Sequence, residues 1–163
     1  MTDPPAASAP YRVRDLTDDD LADIEGWRYE GPWSVYDSDG RLDPDLGYWA
    51  VEADDGRLAG FGCLGDDARV PGLADAEGVV DVGVGMHPDL VGRGSGARFA
   101  AAFLEFAAGR VTADRFRVVV KDWNARSLRL VQRLGFVRTG THQVRRDGAT
   151  ETYVVLERPV RPG

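Results

Sequence analysis

The sequence predicts an α+β domain built on one central, mixed but mostly antiparallel twisted sheet. Two observations carry this expectation. The hydrophobic periodicity changes along the chain in the order strand, helix, loop, three strands, helix, strand, helix, two strands, and mixed alternation of this kind does not fit an all-helical or all-β domain. Two of the strand pairs are joined by Asp-Gly, at Asp55-Gly56 and Asp147-Gly148, and Asp-Gly between alternating runs is a strong short-range sign of an antiparallel hairpin. Length agrees with one domain: a chain of 163 residues buries roughly 70 % of the surface its unfolded form exposes and folds without disulfides or metals.

The elements follow in order. Residues 1–10, rich in Pro, Ala and Ser, are expected to be a disordered tail, and 11–160 a single domain. Tyr11–Arg14 alternates as a short strand. Thr17 is a good N-cap, and Asp18, Asp19 and Asp20 complement the first turn of a helix whose apolar face is Leu21, Ile24 and Trp27. An irregular aromatic stretch runs from Trp27 to Tyr36. Tyr48–Ala53 and Arg57–Leu64 pair around Asp55-Gly56, and a polar loop fills 65–77. Val79–Met86 reads as a buried strand in which Gly83 and Gly85 signal a close approach to the backbone. A helix opening near Gly94 carries the stripe Phe99, Phe103 and Phe106 and ends near Gly109. Phe116–Val120 is a β-branched strand. Asn124 caps a helix with Leu128, Val131 and Leu134 on its core face, stopped by Gly135. Val137–Arg146 and Thr150–Arg158 form the last hairpin.

Composition narrows the function. The hydrophobic fraction is 43 % and the charged fraction 29 %, ordinary for a globular domain. No apolar run approaches the ~20 residues of a membrane-spanning helix, and the first ten residues lack the features of a signal peptide, so the cytoplasm is the expected compartment and no membrane partner is expected. One cysteine, Cys63, and two histidines, His87 and His142, leave no pattern for a disulfide or a structural zinc. The net charge of −7 disfavours nucleic acid as a partner. That charge is uneven: the first 80 residues hold 19 acids and 6 bases, the remainder 8 acids and 14 bases. An acidic half suits a cationic ligand and a basic half a polyanion.

The strongest chemical signal is Asp81-Val-Gly-Val-Gly-Met-His-Pro-Asp-Leu-Val-Gly-Arg-Gly-Ser-Gly96, where a strand ends, a short loop follows and glycines open a helix. Unpaired N–H groups at a helix start form an anion site. Gly92, Gly94 and Gly96 let amides approach phosphate oxygens, and Arg93 adds charge. Gly92–Ala97 also satisfies G-x-G-x-x-A, but a dinucleotide-binding turn joins strand to helix almost directly and needs further βα units, which this chain lacks. A P-loop is absent.

The run Met86-His87-Pro88 followed by Gly92-Arg93-Gly94-Ser95-Gly96 resembles the acyl-CoA pyrophosphate motif of the GNAT (Gcn5-related N-acetyltransferase) superfamily. The segment Asn124-Ala-Arg-Ser-Leu-Arg-Leu-Val-Gln-Arg-Leu-Gly-Phe136 resembles that family's N-x-x-[AS]-…-G-F helix, in the right order and spacing. The pattern is closest to the branch that includes ribosomal-protein N-terminal acetyltransferases. The resemblance implies a sheet of about seven strands and about four helices, splayed at the acyl-CoA site. It implies an acyl-CoA-dependent N-acyltransferase that uses acetyl-CoA and an amine acceptor, as a monomer or homodimer, without metal. Val84, Gly85 and Met86 would pair with the pantetheine arm; Val91, Gly92, Arg93, Gly94, Ser95 and Gly96 would hold the pyrophosphate; Asn124 would contact the donor near its thiol. Val91 stands where the family has Gln or Arg, and Val131 where many members have the tyrosine that protonates the leaving thiolate. Ser127 takes that role by comparison with the branch, with Tyr153 or water as alternatives.

Acetyl transfer also needs a base and an acceptor pocket. Asp81, on the buried strand, is the expected base or amine-binding carboxylate, ahead of Glu25, Glu30 and Glu52; the other reading pairs it with an arginine. Trp27, Tyr29, Glu30, Trp33 and Tyr36 are expected to form the acceptor pocket, where aromatics beside Asp37 and Asp39 would attract a cationic amine. Arg126, Arg129 and Arg133 form a helical stripe that either reaches CoA phosphates or is solvated. Two rival functions stand: an acyl-CoA-binding regulatory module without turnover, and a nucleotide-binding domain.

Overall fold

The computed structural model describes residues 11–37 and 42–161. The expected tail 1–10 and Asp39 lie outside the described residues. The order is β1 (Tyr11–Arg14), α1 (Asp18–Glu25), β2 (Tyr48–Ala53), β3 (Leu58–Leu64), β4 (Val79–Met86), α2 (Gly96–Ala108), β5 (Arg115–Lys121), α3 (Ala125–Arg133), β6 (Val137–Arg146) and β7 (Ala149–Pro159). Short 3₁₀ turns cover Gly31–Tyr36, Pro44–Leu46, Gly65–Ala68 and Pro88–Leu90; the six-residue turn Gly31–Tyr36 joins the three α-helices as the fourth helical piece. The strands lie in the order β1-β2-β3-β4-β5-β7-β6, a mixed seven-stranded sheet. Pairing is antiparallel for β1/β2, β5/β7 and β6/β7 and parallel for β4/β5.

The chain divides into two compact units, one of Met1–Gly62 with Val84–Phe103 and the other of Cys63–Gly83 with Leu104–Gly163. In the first unit, α1 starts at a capping box. The Asp20 amide donates to Thr17 Oγ1 at 3.1 Å, and the Thr17 amide donates to Asp20 Oδ2 at 2.8 Å, so two amides of the helix start are satisfied by each other's side chains. Arg14 donates to the same Asp20 carboxylate at 2.6 Å and ties β1 to the helix. The helix ends at Glu25, before the expected Trp27, because Gly26 closes it with its N–H on the Asp23 carbonyl; Trp27 still reaches the core at 5 % exposure. From α2, Phe99 and Phe103 are fully buried. They lie against glycines of β3: a Cβ at Gly60 would stand 2.4 Å from the Phe99 ring and one at Gly62 2.3 Å from the Phe103 ring. Glycine is needed at both positions because the rings occupy the volume a side chain would take.

In the second unit, β5 pairs with β7 along its whole length, from Arg115↔Pro159 to Lys121↔Tyr153, and β6 pairs with β7 with a bulge between Arg138 and Gly140. The hairpin turns at Asp147 and Gly148, both with positive φ (50° and 79°), as a two-residue turn matched to strand twist requires. Phe116, Leu156 and Val160 form the centre of the core. Helix α3 is capped as expected: the Ser127 amide donates to Asn124 Oδ1 at 3.2 Å, and Gly135 at φ 91° terminates it, with the Phe136 amide on the Val131 carbonyl. Among the described residues no helix is long and apolar enough to cross a membrane.

Candidate active site

In the first unit, the end of β4 offers backbone groups to one side. The His87 amide donates to the Ala59 carbonyl at 2.8 Å, so His87 faces β3. Successive residues of an extended chain turn their N–H and C=O to opposite sides, so Met86 faces away from β3. On that outward side the Met86 carbonyl accepts a hydrogen bond from the Tyr29 hydroxyl at 2.6 Å. Val84, two residues earlier and so turned the same way, is 40 % exposed. The close approach expected at Gly85 exists, but a side chain makes it: a Cβ there would stand 2.4 Å from the Phe61 ring. In the second unit a Cβ at Gly83 would stand 3.1 Å from Cys63 Sγ.

After β4 the chain makes the turn Pro88–Leu90, stabilised by the Asp89 amide donating to His87 Nδ1 at 3.1 Å. Val91 is half-buried, and Gly92, Arg93 and Gly94 are exposed. Gly92 and Gly94 hold φ of 79° and 84°, a region that residues with a Cβ avoid, and a Cβ at Gly94 would meet nothing within 4 Å. The first bond inside α2 runs from the Phe99 amide to the Ser95 carbonyl at 3.1 Å. The amides of Gly96, Ala97 and Arg98 therefore precede the first intrahelical bond and point out of the helix start, where they and the dipole favour an anion.

The aromatic stretch lies in the same unit. Trp27 is core rather than pocket wall: its ring lies 4.9 Å from that of His87 and 6.0 Å from that of Phe61, and its Nε1 donates to Asp23 at 3.2 Å. Tyr29 is half-buried, and burial, together with the charge of Asp37, pushes its phenol up to about 12. The Tyr29 amide donates to Asp37 Oδ1 at 2.7 Å. Glu30 is exposed, Trp33 half-buried and Tyr36 exposed.

The second unit holds the other expected residues. Asp81 is 2 % exposed and its carboxylate is fully engaged. Arg117 donates to it through Nε at 2.6 Å and Nη2 at 2.9 Å, and Arg69 donates through Nε at 3.0 Å. Arg117 Nη2 also donates to the Ala74 carbonyl at 2.9 Å. The expected base is an ion-pair node joining β4, its cross-strand partner on β5 and the loop after β3. The pairing is the second of the two readings the sequence left open for Asp81. Glu52, a weaker candidate that lies in the first unit, is bonded to Arg12 and Arg14. Arg126, Arg129 and Arg133 are exposed on α3, Ser127 is half-buried, and Asn124 is buried.

Two groupings escaped the sequence reading. One is the set of partners around Asp81, for which a lone Arg117 inside the apolar run Phe116–Val120 was the available signal. The other is a chain at the end of β5. Lys121 Nζ donates to the Tyr153 hydroxyl at 3.1 Å, which donates to Glu151 at 3.3 Å, and Lys121 stands 3.1 Å from Glu151. Burial pushes the Lys121 ammonium down, but the bonds to Tyr153 and Glu151 outweigh it and leave it raised. No sequence signal linked these three residues. Among the described residues no group of three or more His, Cys, Asp or Glu could hold a metal ion. Cys63 is buried, and desolvation pushes its thiol up to about 12.

The model of the acetyltransferase (GNAT) family matches residues 11–136. No curated protein sequence matches the chain. Among solved structures, a spermidine N-acetyltransferase chimera of Vibrio cholerae and hSSAT superposes with a TM-score of 0.71 at 14% identity, covering 93% of this chain and 96% of that one. The yncA protein of Salmonella typhimurium, solved with its cofactor acetyl-CoA, gives 0.65 at 20% identity over 94% and 96%. A ribosomal-protein S5 alanine acetyltransferase of Vibrio fischeri gives 0.62 at 16% identity over 92% and 93%. At these identities the likeness is one of fold.

Proposed function

The chain belongs to the acetyltransferase (GNAT) family, acyl-CoA-dependent N-acetyltransferases with acetyl-CoA as donor, and from that premise we propose that it acetylates a primary amine by direct attack in a ternary complex. The observation that carries this reading is the segment Val84–Gly96: an outward-facing strand end, a turn of two positive-φ glycines and a helix start, in chain order and in one unit. An amide-bearing arm adds to a strand end of that kind by edge pairing, and phosphate oxygens suit the amides of Gly92–Gly96. Acetyl-CoA supplies the thioester carbonyl and the thiolate leaving group.

The protein's own groups then have defined tasks. The outward N–H groups of Val84 and Met86 are candidates to stabilise the oxyanion that develops on the attacked carbonyl. Arg93, beside Val91, and Ser95 border the phosphate turn. Ser127 and the Tyr153 hydroxyl are the candidate proton donors to the leaving thiolate, since Val131 cannot serve. Asn124 would meet the donor near its thiol. Its oxygen also caps α3, so replacing it affects the helix as well. Asp81 we assign to positioning: it fixes Arg69 and Arg117 and leaves removal of the amine proton to solvent or to an exposed carboxylate.

The acceptor we infer is a cationic amine, a polyamine or a basic peptide N-terminus. The acidic first 80 residues favour it, Glu30 and Asp37 flank the aromatics Tyr29, Trp33 and Tyr36, and one structural neighbour acts on spermidine. The cytoplasm is the proposed compartment.

The test is thiol release from acetyl-CoA with a panel of polyamines and Ala-initiated basic peptides, beside calorimetric titration with acetyl-CoA, NAD and ATP. Cys63, buried and raised to about 12, will not add to the thiol signal of the folded protein. Binding of acetyl-CoA alone with amine-dependent release supports the proposal. Binding without release across the panel favours the rival reading, an acyl-CoA-binding module, which Val131 in place of the usual tyrosine makes specific. Absence of acetyl-CoA binding removes both.

A further inference from the structure

The contact between Tyr29 and Met86 sits on the backbone group that the donor would need. The Met86 carbonyl faces away from β3, because the neighbouring His87 amide is spent on Ala59. A peptide-like arm adding to this strand end would donate an N–H to that carbonyl. The Tyr29 hydroxyl already donates to it at 2.6 Å. The phenol is held as a donor: burial and Asp37 push it up to about 12, so it stays protonated at any neutral pH. Its own amide is bonded to Asp37 at 2.7 Å, which closes the segment from Tyr29 to Asp37 end to end, and the Tyr29 hydroxyl ties its first residue to the strand. Trp27, two residues earlier, is held by the rings of His87 and Phe61, so Tyr29 stands next to a fixed anchor in the chain.

We propose that Tyr29 is a placeholder for the donor arm: when an arm amide takes the Met86 carbonyl, the phenol yields it and turns its hydroxyl to the acceptor amine. The inference rests on the acyl-CoA reading of Val84–Gly96 and deepens it. Tyr29 becomes a positioning residue that makes the aromatic segment respond to the donor. A contact that must be given up reduces apparent donor affinity by its own worth, since the donor shifts the equilibrium only by its difference in affinity for the two arrangements.

Two measurements on the full chain test it. Tyr29→Phe keeps the ring and loses only the hydroxyl, so in calorimetric titration with CoA its dissociation constant should fall roughly three- to tenfold, the worth of one hydrogen bond. In the unaltered protein, saturating CoA should speed amide hydrogen exchange across residues 29–37, including the Tyr29 amide now bonded to Asp37. Equal or weaker binding by Tyr29→Phe, or exchange that CoA leaves unchanged or slows, overturns the placeholder and leaves the donor site standing. Failure of both the unaltered protein and Tyr29→Phe to bind CoA overturns the donor site, and the placeholder with it.

Discussion

In the second unit Asp81 and Arg117 are buried and paired, with Arg69 and the Ala74 carbonyl completing their bonds. In the first unit the corresponding stretch of chain, Val84–Gly96, turns backbone groups outward and fixes its shape with glycines and aromatic rings. The charges of Asp81 and Arg117 are neutralised in place, whereas the Met86 carbonyl faces away from β3 and is met by the Tyr29 hydroxyl. Asp81 is the most buried acid among the described residues, and the proposed donor site rests instead on the less conspicuous backbone of Met86.

The largest expected effect breaks the second unit. Arg117→Ala leaves Asp81 with Arg69 alone, and stripping one partner from a buried ion pair costs about 3–5 kcal/mol. Urea unfolding should register that loss. The double variant Asp81→Leu/Arg117→Met should recover most of it, since an apolar pair of similar volume replaces a buried ion pair at little cost. If it also retains acetyl transfer, Asp81 serves the fold and not the chemistry; loss of turnover in a stable double variant would restore it as a base or a positioning residue.

The matching experiment in the first unit is Phe103→Ala. The ring is fully buried and seated on Gly62, so its removal should cost about 3–5 kcal/mol. A double variant Gly62→Ala/Phe103→Leu should lose less than the sum of its two single changes, because the added methyl and the shortened side chain compete for one space. Additive losses in thermal unfolding would contradict that seating.

Gly94→Val probes the ligand side of the comparison. At φ 84° a β-branched residue is strained by about 1–2 kcal/mol, and the turn is expected to relax away from its anion-holding shape. Donor affinity should fall at least about tenfold, the loss of one hydrogen bond to a charged group, while the change in unfolding midpoint stays small. Calorimetry with acetyl-CoA separates the two effects, and unchanged affinity would move the pyrophosphate away from this turn.

What the sequence made legible follows the same division. Periodicity and caps are local, so Thr17, Asn124, Gly135 and Asp147-Gly148 mark their elements through their immediate chain neighbours alone. The glycine turn was legible because positive φ is a property of single residues. The apolar face of the first helix already marked Trp27 for the core, but the partners of Asp81 and the bond from Tyr29 to Met86 were not legible, because they depend on which strands become neighbours. Glycines at 83 and 85 signalled a close approach but not its source; Cys63 and Phe61 made it.

The smallest effect lies at the start of α1, where Asp20 combines both behaviours. Burial pushes its carboxyl up, but the Arg14 hydrogen bond and those with Thr17 outweigh this and hold it below the ordinary carboxylate range. A depressed carboxyl stabilises the fold above its unfolded pKa, about 3.9, and that contribution fades as pH falls through the lower folded value. Thr17→Ala should cost about 1 kcal/mol at neutral pH by loss of the cap. Asp20→Asn should instead flatten the decline of stability below about pH 4, read from urea midpoints across that range. An undiminished acid limb in Asp20→Asn would assign acid sensitivity to another carboxylate, with Glu52, bonded to the same Arg14, the next to replace.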